Sequence, residues 1–426
     1  MTPAVETVPR IVVFTGKGGV GKTTSAAAVA VASARRGRRT LVLSTDAAHS
    51  LADTLDVAAG PEPAQVSDHL WVQLVDTQRR MEQSAAQLRS TLRALLDGAG
   101  VDPLAAEEIT VLPGADEVLV LLELRAQAAS GRWDVVVVDA APTAETLRLL
   151  ALPEALGWYA ERLSPLEERV TRMAVPALAR ATGLGPIGPG VLDAVRALCR
   201  DLAEVRALLT GPSGSVRLVL TPERVVVAES RRALTTLSLF GYAVDGVVAN
   251  RVFGEDGADG WRAGWARAQR GVLDEVIASF APLSVWQTGF AAAEPVGMDA
   301  LAAVAEDTYG RDDPLARATG EPALQVQRHE DHVDVALALP FAARGDVSVA
   351  RHGDELIVTV GSWRRLIALP ALLGRYDVAR ARIADGRVVV RFAARERSEV
   401  ARDTDVAPRS QPVRPPGRAG TRAPSR

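Results

Sequence analysis

The sequence from position 16 to position 24 reads Gly16-Lys17-Gly18-Gly19-Val20-Gly21-Lys22-Thr23-Thr24. It follows directly on the apolar run Ile11-Val12-Val13-Phe14 and precedes an alanine- and valine-rich segment that predicts a helix over residues 25 to about 36. The stretch satisfies the phosphate-loop pattern G-x-x-x-x-G-K-[ST] in the strand-to-helix context that this pattern requires. Its glycines let backbone N–H groups close around phosphate oxygens, and the start of the helix adds the positive end of its dipole. The residues predicted to bind a nucleoside triphosphate are Gly16, Gly18, Gly19, Val20, Gly21, Lys22, Thr23 and Thr24.

Lysine occurs only inside this loop. The chain has 49 lysine and arginine residues, but only two of them, Lys17 and Lys22, are lysines. Lys22 occupies the position that reaches the β- and γ-phosphates, and Thr23 the position whose hydroxyl ligates Mg²⁺. The general pattern leaves position 17 free. A second lysine there indicates a cation directed at the charge that develops during phosphoryl transfer, as an arginine finger is in other enzymes.

Composition limits the class of protein. A length of 426 residues, 48% hydrophobic and 24% charged, predicts two or three ordinary globular domains. The formal net charge of −3 gives no overall field that would attract nucleic acid or an anionic membrane. The single cysteine, Cys199, excludes an intrachain disulfide and any metal site built from several cysteines of one chain. The first ten residues do not resemble a signal peptide, and no apolar run is long enough to span a membrane, so we expect a cytoplasmic enzyme.

Residues 10–150 alternate between short apolar strands and helical patterns, which predicts an open, mostly parallel α/β sheet. The run Val135-Val136-Val137-Val138 is continuous and β-branched, as expected of a central strand buried on both faces. Ligands of such sheets bind at the carboxyl ends of the strands, where Asp46 and Asp139 both fall beside Lys22. We expect Asp46 to orient the attacking water and Asp139 to lie near Mg²⁺ through a bridging water. The alternatives are a loop cap for Asp46 and a helix N-cap for Asp139.

The rest of the chain divides into three regions. Residues 150–212 carry apolar side chains at three-to-four spacing, which predicts a helical insertion within an α/β domain spanning residues 9–315. Residues 322–394 alternate apolar and polar side chains in short runs separated by turn signals, which predicts an all-β sandwich. Residues 395–426 are rich in Pro, Gly, Arg and Ser and are predicted to be disordered. The predicted fold class is a mostly parallel α/β P-loop NTPase sheet with a helical insertion, followed by this sandwich.

Several stretches resemble one family. The loop with its extra lysine is similar to the deviant phosphate loop of the SIMIBI-class ATPases, and three further segments resemble the ArsA/GET family within that class. Those segments are Ser44-Thr45-Asp46-Ala47-Ala48-His49-Ser50-Leu51 for switch I, Pro113-Gly114-Ala115-Asp116-Glu117, and Asp139-Ala140-Ala141-Pro142-Thr143-Ala144-Glu145-Thr146-Leu147-Arg148-Leu149-Leu150 for switch II. Val247-Val248-Ala249-Asn250 resembles the strand whose asparagine contacts adenine. The similarity covers about residues 10–310, and residues 322–393 resemble the α-crystallin-like domain that some members carry.

The resemblance implies a homodimeric, Mg²⁺-dependent ATPase. Lys17 would cross the dimer interface to the partner's nucleotide, and Asp46 would position the hydrolytic water. Asp139 would sense the metal and the γ-phosphate, and Asn250 would contact adenine. Because the chain has a single phosphate loop, two subunits would have to supply the paired sites.

The sequence also departs from the family pattern. Ala47 replaces the proline of switch I, and Ala140, Ala144 and Glu145 replace the threonine, glycine and histidine of switch II. These changes leave the nucleotide site intact and alter the segments that transmit its state. The C-x-x-C pair that binds zinc between the subunits of many tail-anchor carriers is absent, so no zinc is expected. His49 is as consistent with a surface turn as with a functional role.

Three functions are compatible with the sequence. The first is a nucleotide-driven switch that holds or releases a hydrophobic protein or membrane-protein segment on residues 150–212; ordinary core packing explains the same amphipathic pattern. The second is the catalytic subunit of an arsenite or anion pump. The chain has only one thiol to offer, that of Cys199, which disfavours this function, and the alternative interpretation of Cys199 is a core position. The third is a partition-type ATPase acting on DNA or membrane, which the near-neutral charge disfavours.

Overall fold

The computed structural model describes residues 8–45, 50–75, 115–140, 143, 146–151, 189–254, 259–316 and 322–394. An α/β part holds an eight-stranded sheet with its helices, and a C-terminal part holds two antiparallel sheets of four and three strands. The predicted fold class is therefore confirmed. Most of the predicted helical insertion, residues 46–49 of switch I, and residues 395–426 lie outside the described residues.

The large sheet is parallel except at one edge. Its strands are β1 (Arg10–Thr15), β2 (Thr40–Ser44), β3 (Ala64–Ser67), β4 (Leu70–Leu74), β5 (Val135–Asp139), β6 (Gly214–Leu220), β7 (Val244–Val252) and β8 (Ser284–Gly289). They lie in the order β3-β4-β2-β5-β1-β6-β7-β8, and only the edge strand β3 is antiparallel to its neighbour. The sequence did not predict β3, because its four residues are only partly buried and lack an apolar run.

Helices connect these strands. They are α1 (Lys22–Arg35), α2 (Ser50–Leu55), α3 (Ala115–Ala129), α4 (Pro189–Thr210), α5 (Arg224–Phe240), α6 (Gly260–Phe280) and α7 (Met298–Tyr309), and residues 146–151 are also helical. Helix α1 begins inside the phosphate-loop motif at Lys22 rather than at residue 25. Helix α6 was not predicted. Among the described residues, no helix is both long and apolar enough to cross a membrane.

Strand β1 is the centre of the sheet. It pairs in parallel with β5 on one side, where Phe14 is opposite Asp139, and with β6 on the other, where Phe14 is opposite Arg217. All six of its residues are buried. Burial of both faces explains the continuous apolar pattern of β1 and β5, and it holds the carboxyl ends of these strands side by side.

An ion pair crosses the core of the sheet on strands β6 and β7. Arg217 is fully buried and donates to both carboxylate oxygens of Asp245, at 3.0 and 2.9 Å. Its remaining terminal nitrogen donates to the Tyr309 hydroxyl at 3.1 Å, and its guanidinium lies 4.6 Å from the ring centroid of Trp286. Burial raises the pKa of Tyr309. Arg10, whose side chain is 9% exposed, also donates to Asp245 at 2.9 Å, so one buried carboxylate is shared by two guanidinium groups.

The C-terminal part forms two antiparallel sheets. Its strands are β9 (Leu324–Arg328), β10 (His332–Ala338), β11 (Val347–His352), β12 (Glu355–Val360), β13 (Trp363–Ala368), β14 (Tyr376–Ala384) and β15 (Arg387–Ala394). The sheet orders are β14-β15-β10-β9 and β11-β12-β13. The sequence did not predict β13, whose polar Arg364 and Arg365 break the apolar alternation.

This β-part packs on helices α5 and α6 of the α/β part. Phe240 meets Trp363 edge to face at 5.8 Å between ring centroids, and Phe280 lies 5.5 Å from Phe341. The Thr235 hydroxyl donates to the backbone carbonyl of Pro340. Apolar side chains of both parts therefore join at this junction.

Candidate functional site

The phosphate loop requires glycine at three of its positions. Gly19 and Gly21 have φ angles of 81° and 92°, in the left-handed region that favours glycine. A Cβ atom on Gly21 would lie 2.2 Å from the Asn250 side-chain nitrogen, and one on Gly16 would lie 2.1 Å from the carbonyl oxygen of Val219. The loop is therefore held close to the ends of β6 and β7, and only a chain without side chains at these points fits there.

Two residues at the end of β7 hold this loop in place. The Asn250 amide nitrogen donates to the carbonyl oxygen of Val20 at 2.8 Å, and its amide oxygen accepts from the backbone N–H of Arg251 at 2.9 Å. The Arg251 guanidinium donates to the carbonyl oxygen of Gly19 at 2.9 Å. Asn250 was predicted from the sequence as an adenine contact, and that role stays a prediction. Arg251 was missed, because its left-handed φ of 59° and its contact across the chain leave no local sequence signal.

Lys22 and Thr23 begin helix α1 beneath the loop. Lys22 is buried, and its ammonium lies 3.3 Å from the carbonyl oxygen of Lys17. This contact folds the loop over the Lys22 side chain. No side chain caps the N-terminus of α1, which has Gly21 at its N-cap. The first N–H groups of a helix lack partners within the helix, so they are suited to an anion such as a phosphate. Thr23 and Thr24 are half-buried beside them.

Lys17 differs from Lys22. Its side chain is half-exposed, and it makes no hydrogen bond or ion pair with any residue that the structure describes. The Lys17 side chain is thus half-exposed on the phosphate loop, whereas that of Lys22 is buried.

Asp139 lies at the carboxyl end of β5, beside the start of the loop. It is 1% exposed, and the Ser44 hydroxyl lies 3.4 Å from one of its carboxylate oxygens. Its backbone carbonyl accepts from the N–H of Thr45 at 3.0 Å. The structure therefore brings Asp139 to the same edge as Lys22, as the sequence predicted. Asp46, Ala47, His49, Ala144 and Glu145 lie outside the described residues.

The start of the predicted switch II is attached to the loop. The backbone N–H of Ala140 donates to the Phe14 carbonyl at 3.2 Å, and that of Thr143 donates to the Gly16 carbonyl at 3.2 Å. The hydroxyls of Thr15 and Thr143 are buried, and neither has a hydrogen-bond partner among the residues that the structure describes. Unsatisfied buried hydroxyls are costly, and a polar ligand beside Gly16 would satisfy them. Neither residue was singled out from the sequence as a contact.

These residues fit a nucleotide with Mg²⁺. The tight approach at Gly16 and Gly21 forms a cradle of backbone groups, and Lys22 supplies a cation for the phosphates. The Thr23 hydroxyl and the Asp139 carboxylate are the hard oxygen donors that Mg²⁺ prefers, directly or through water. Bound there, the ion would neutralise charge on the β- and γ-phosphates.

Comparison with known proteins agrees with this geometry. Residues 9–310 match the model of the anion-transporting ATPase family, and residues 330–392 match that of an HSP20-like domain found in ArsA. A putative arsenical pump-driving ATPase of Chlorobaculum tepidum is 35% identical over 368 residues, which cover 85% of this chain and 91% of the relative. An uncharacterized protein of Streptomyces coelicolor is 36% identical, over 90% of this chain and 97% of its own. A protein of Paramecium tetraurelia named ATPase ASNA1 homolog 1 is 26% identical, over 62% of this chain and 80% of its own.

Proposed function

The chain belongs to the anion-transporting ATPase family and is an ATP-hydrolysing enzyme, and we propose that it works as a homodimer whose nucleotide state controls its binding of a hydrophobic protein segment. The observation that carries the dimer is the position of Lys17. A half-exposed ammonium on the phosphate loop, without a partner in the described part of its own chain, is suited to the phosphates of a second subunit.

Each site residue is then assigned its role in binding or hydrolysis. Lys22 holds the β- and γ-phosphates of its own subunit, and Lys17 stabilises the charge that develops on the nucleotide of the partner subunit. Asp46 positions the hydrolytic water, while Thr23 and Asp139 hold Mg²⁺, the latter through water. Asn250 contacts adenine and, through its bond to Val20, supports the loop.

The client-binding part of the proposal needs an apolar surface. In helix α4, the described end of the insertion, Leu202, Val205 and Leu209 are buried, and Arg125 of α3 pairs with Asp201 and Glu204. The side chains of α4 that the structure describes, from residue 197 on, therefore fit core packing.

An exposed aromatic cluster supports the proposal instead. It consists of Phe253, Trp261, Trp265 and Phe290, with Trp261 67% and Phe290 54% exposed. Phe253 and Phe290 stack at 4.8 Å between ring centroids. Phe253 directly follows β7, the strand whose Arg251 contacts the phosphate loop, whereas Trp261 and Trp265 lie on α6 and Phe290 follows β8. Contiguous exposed apolar surface of this kind is typical of sites that bind other proteins.

The test is binding of a fluorescently labelled tail-anchored segment to the purified full chain, in ADP, in ATP with Mg²⁺, and without nucleotide. We expect binding that changes with nucleotide, that Trp265→Ser weakens, and that becomes nucleotide-independent in Lys22→Ala. Equal absence of binding in every nucleotide state would refute the client. If Trp265→Ser instead abolishes dimerisation, the cluster is the subunit contact and the client proposal loses its support.

A second candidate rests on the names of the relatives, several of which are called putative arsenical pump-driving ATPases. A trigonal site for a soft metalloid needs three thiolates, and the chain has a single cysteine. Cys199 is half-buried on α4, and burial raises the pKa of its thiol, which lowers the thiolate fraction at neutral pH. We expect arsenite to leave the ATPase rate unchanged; stimulation by arsenite would favour the pump.

A further inference from the structure

A tight hairpin in the β-part brings two of the five histidines of the chain together. Strand β9 ends at Arg328 and β10 begins at His332, and the backbone N–H of His329 donates to the carbonyl oxygen of His332 at 2.9 Å. His329 and His332 are therefore opposite each other across the turn. Since side chains alternate along a strand, Asp334 lies on the same face as His332.

The three side chains converge. The imidazole rings stack at 4.3 Å between centroids with planes 17° apart. The Nε2 atoms of His332 and His329 lie 3.7 and 4.0 Å from Oδ2 of Asp334. One ligand atom from each of the three residues lies within 4.8 Å of the other two. These separations are long for direct hydrogen bonds, and ligands bonded to Zn²⁺ at about 2.0–2.1 Å lie about 3.4 Å apart. Binding would therefore draw the three atoms closer together, by up to about 1.4 Å from the 4.8 Å limit, and would turn the stacked rings toward the ion.

A carboxylate orients one of the imidazoles. Oδ1 of Asp331 lies 2.5 Å from Nδ1 of His332, so this carboxylate accepts the Nδ1 proton. In the neutral imidazole the other ring nitrogen, Nε2, carries the lone pair that a metal would use, and it lies 3.7 Å from Asp334. Histidines that bind metals in proteins nearly always donate their second N–H in this way, because it fixes the ring and raises its basicity.

Asp334 is oriented as well. Arg391 donates to its two carboxylate oxygens, at 2.9 Å each. A carboxylate oxygen has two lone pairs, so Oδ2 can accept from Arg391 and still face the imidazoles. The guanidinium opposes a cation electrostatically, and its side chain is 43% exposed, which weakens that repulsion by solvent screening.

The three side chains of the cluster differ in their exposure to solvent. The side chains of Asp334 and His332 are 10% and 15% exposed, and that of His329 is 43% exposed. The inner two ligands are thus held by packing, whereas the outer one borders solvent. This leaves a path for an ion and room for a water as fourth ligand.

We propose that His329, His332 and Asp334 bind one divalent transition-metal ion, with Zn²⁺ as the ion of choice for two imidazoles and a carboxylate. This differs from the expectation of no zinc, which considered only paired cysteines. The hairpin belongs to the β-part, so the site is independent of the nucleotide loop and of the proposed function.

The experiment is calorimetric titration of Zn²⁺ into the metal-free full chain, produced without a histidine tag and with excess Mg²⁺ to occupy hard oxygen sites. Co²⁺ absorption is recorded in parallel, because a four-coordinate Co²⁺ site has strong visible bands. We expect one ion per chain, with affinity lowered about tenfold or more by His329→Gln. His352→Gln, which removes a histidine elsewhere in the β-part, is expected to leave binding unchanged.

A matched pair in the turn tests the orienting carboxylate. Asp331→Asn and Glu330→Gln each remove one negative charge from exposed, adjacent positions, but only Asp331 contacts a histidine. We expect Asp331→Asn to weaken Zn²⁺ binding about tenfold and Glu330→Gln to change it little. Absence of a Zn²⁺ site in the unaltered chain, or binding that persists in the His329→Gln/His332→Gln double variant, would overturn the proposal. Thermal unfolding of each variant shows that the β-part remains folded.

Discussion

Arg365, in strand β13, donates from its guanidinium to the backbone carbonyl of Leu239 at 2.6 Å, in the last turn of helix α5. The arginine is 8% exposed, and Gly241 follows the helix with a left-handed φ of 86°. A cation at a helix C-terminus stabilises carbonyl groups that have no partner within the helix. The β-part thus caps a helix of the ATPase part, in addition to the aromatic contacts beside it.

Replacing this arginine tests the cap. We expect Arg365→Met to lower the free energy of unfolding by about 1–3 kcal/mol, because the buried carbonyl of Leu239 loses its donor. The neighbouring Arg364 is exposed, so Arg364→Met serves as the matched control with the same change of charge. Urea denaturation of both variants gives the comparison. Equal stability of the two would show that the cap contributes nothing.

The role of Lys17 across a dimer interface is tested by mixing two inactive variants. Lys17→Ala is expected to lower kcat on the order of 10³-fold while ATP affinity stays similar, because the residue acts on developing charge. Asp46→Asn removes the residue proposed to position water.

In a mixed dimer, the subunit carrying Lys17→Ala keeps its own Asp46 and receives Lys17 from its partner. Random pairing should therefore restore about a quarter of the wild-type rate. Steady-state ATPase assays of the mixture and of each variant alone give the answer. No gain on mixing, with exchange of subunits verified, would assign Lys17 to its own subunit.

Asn250 supports the loop through Val20, and its removal is expected to weaken ATP binding. We expect Asn250→Ala to raise the Kd for ATP by roughly tenfold, the equivalent of one lost hydrogen bond. Parallel measurements with GTP separate two roles. A loss confined to ATP supports the adenine contact, and an equal loss for both nucleotides assigns Asn250 to the loop alone. Unchanged ATP affinity would contradict both.

The ion pair between Arg217 and Asp245 should be critical for stability. Asp245→Asn leaves the buried guanidinium groups of Arg217 and Arg10 without their shared counter-charge, so we expect a loss of about 3–5 kcal/mol in the free energy of unfolding. The exposed pair between Arg39 and Asp134 offers a comparison. Asp134→Asn is expected to cost about 1 kcal/mol or less, because solvent screens that pair. Similar losses for the two variants in urea denaturation would contradict this account.

The elements that could be predicted from the sequence are those whose burial on both faces produces a continuous run of apolar residues. Strands β1 and β5 are buried on both faces, so their apolar runs and the glycines between β1 and α1 were sufficient to locate the phosphate loop and Asp139. Helix α6 was missed although its buried residues recur at helical spacing, because exposed tryptophans at its start obscure that pattern. Its aromatic cluster was missed with it.

Contacts between segments that are far apart in the sequence produce no such pattern of apolar residues. Arg251 reaches Gly19 and Arg365 reaches Leu239 only once the strands and helices are assembled. The hairpin histidines stand close together in the sequence. Their joint approach to Asp334 depends on the exact turn, which the alternation of apolar residues alone did not specify.

The central position of β1 has a consequence for synthesis on the ribosome. Strand β1 leaves the exit tunnel before its partners β5 and β6, which are made more than a hundred residues later. The loop that follows it is held by Asn250 and Arg251, later still. A nascent chain that ends before β7 therefore contains the whole phosphate-loop motif without the residues that support its shape, and ATP binding should begin only after that strand has emerged.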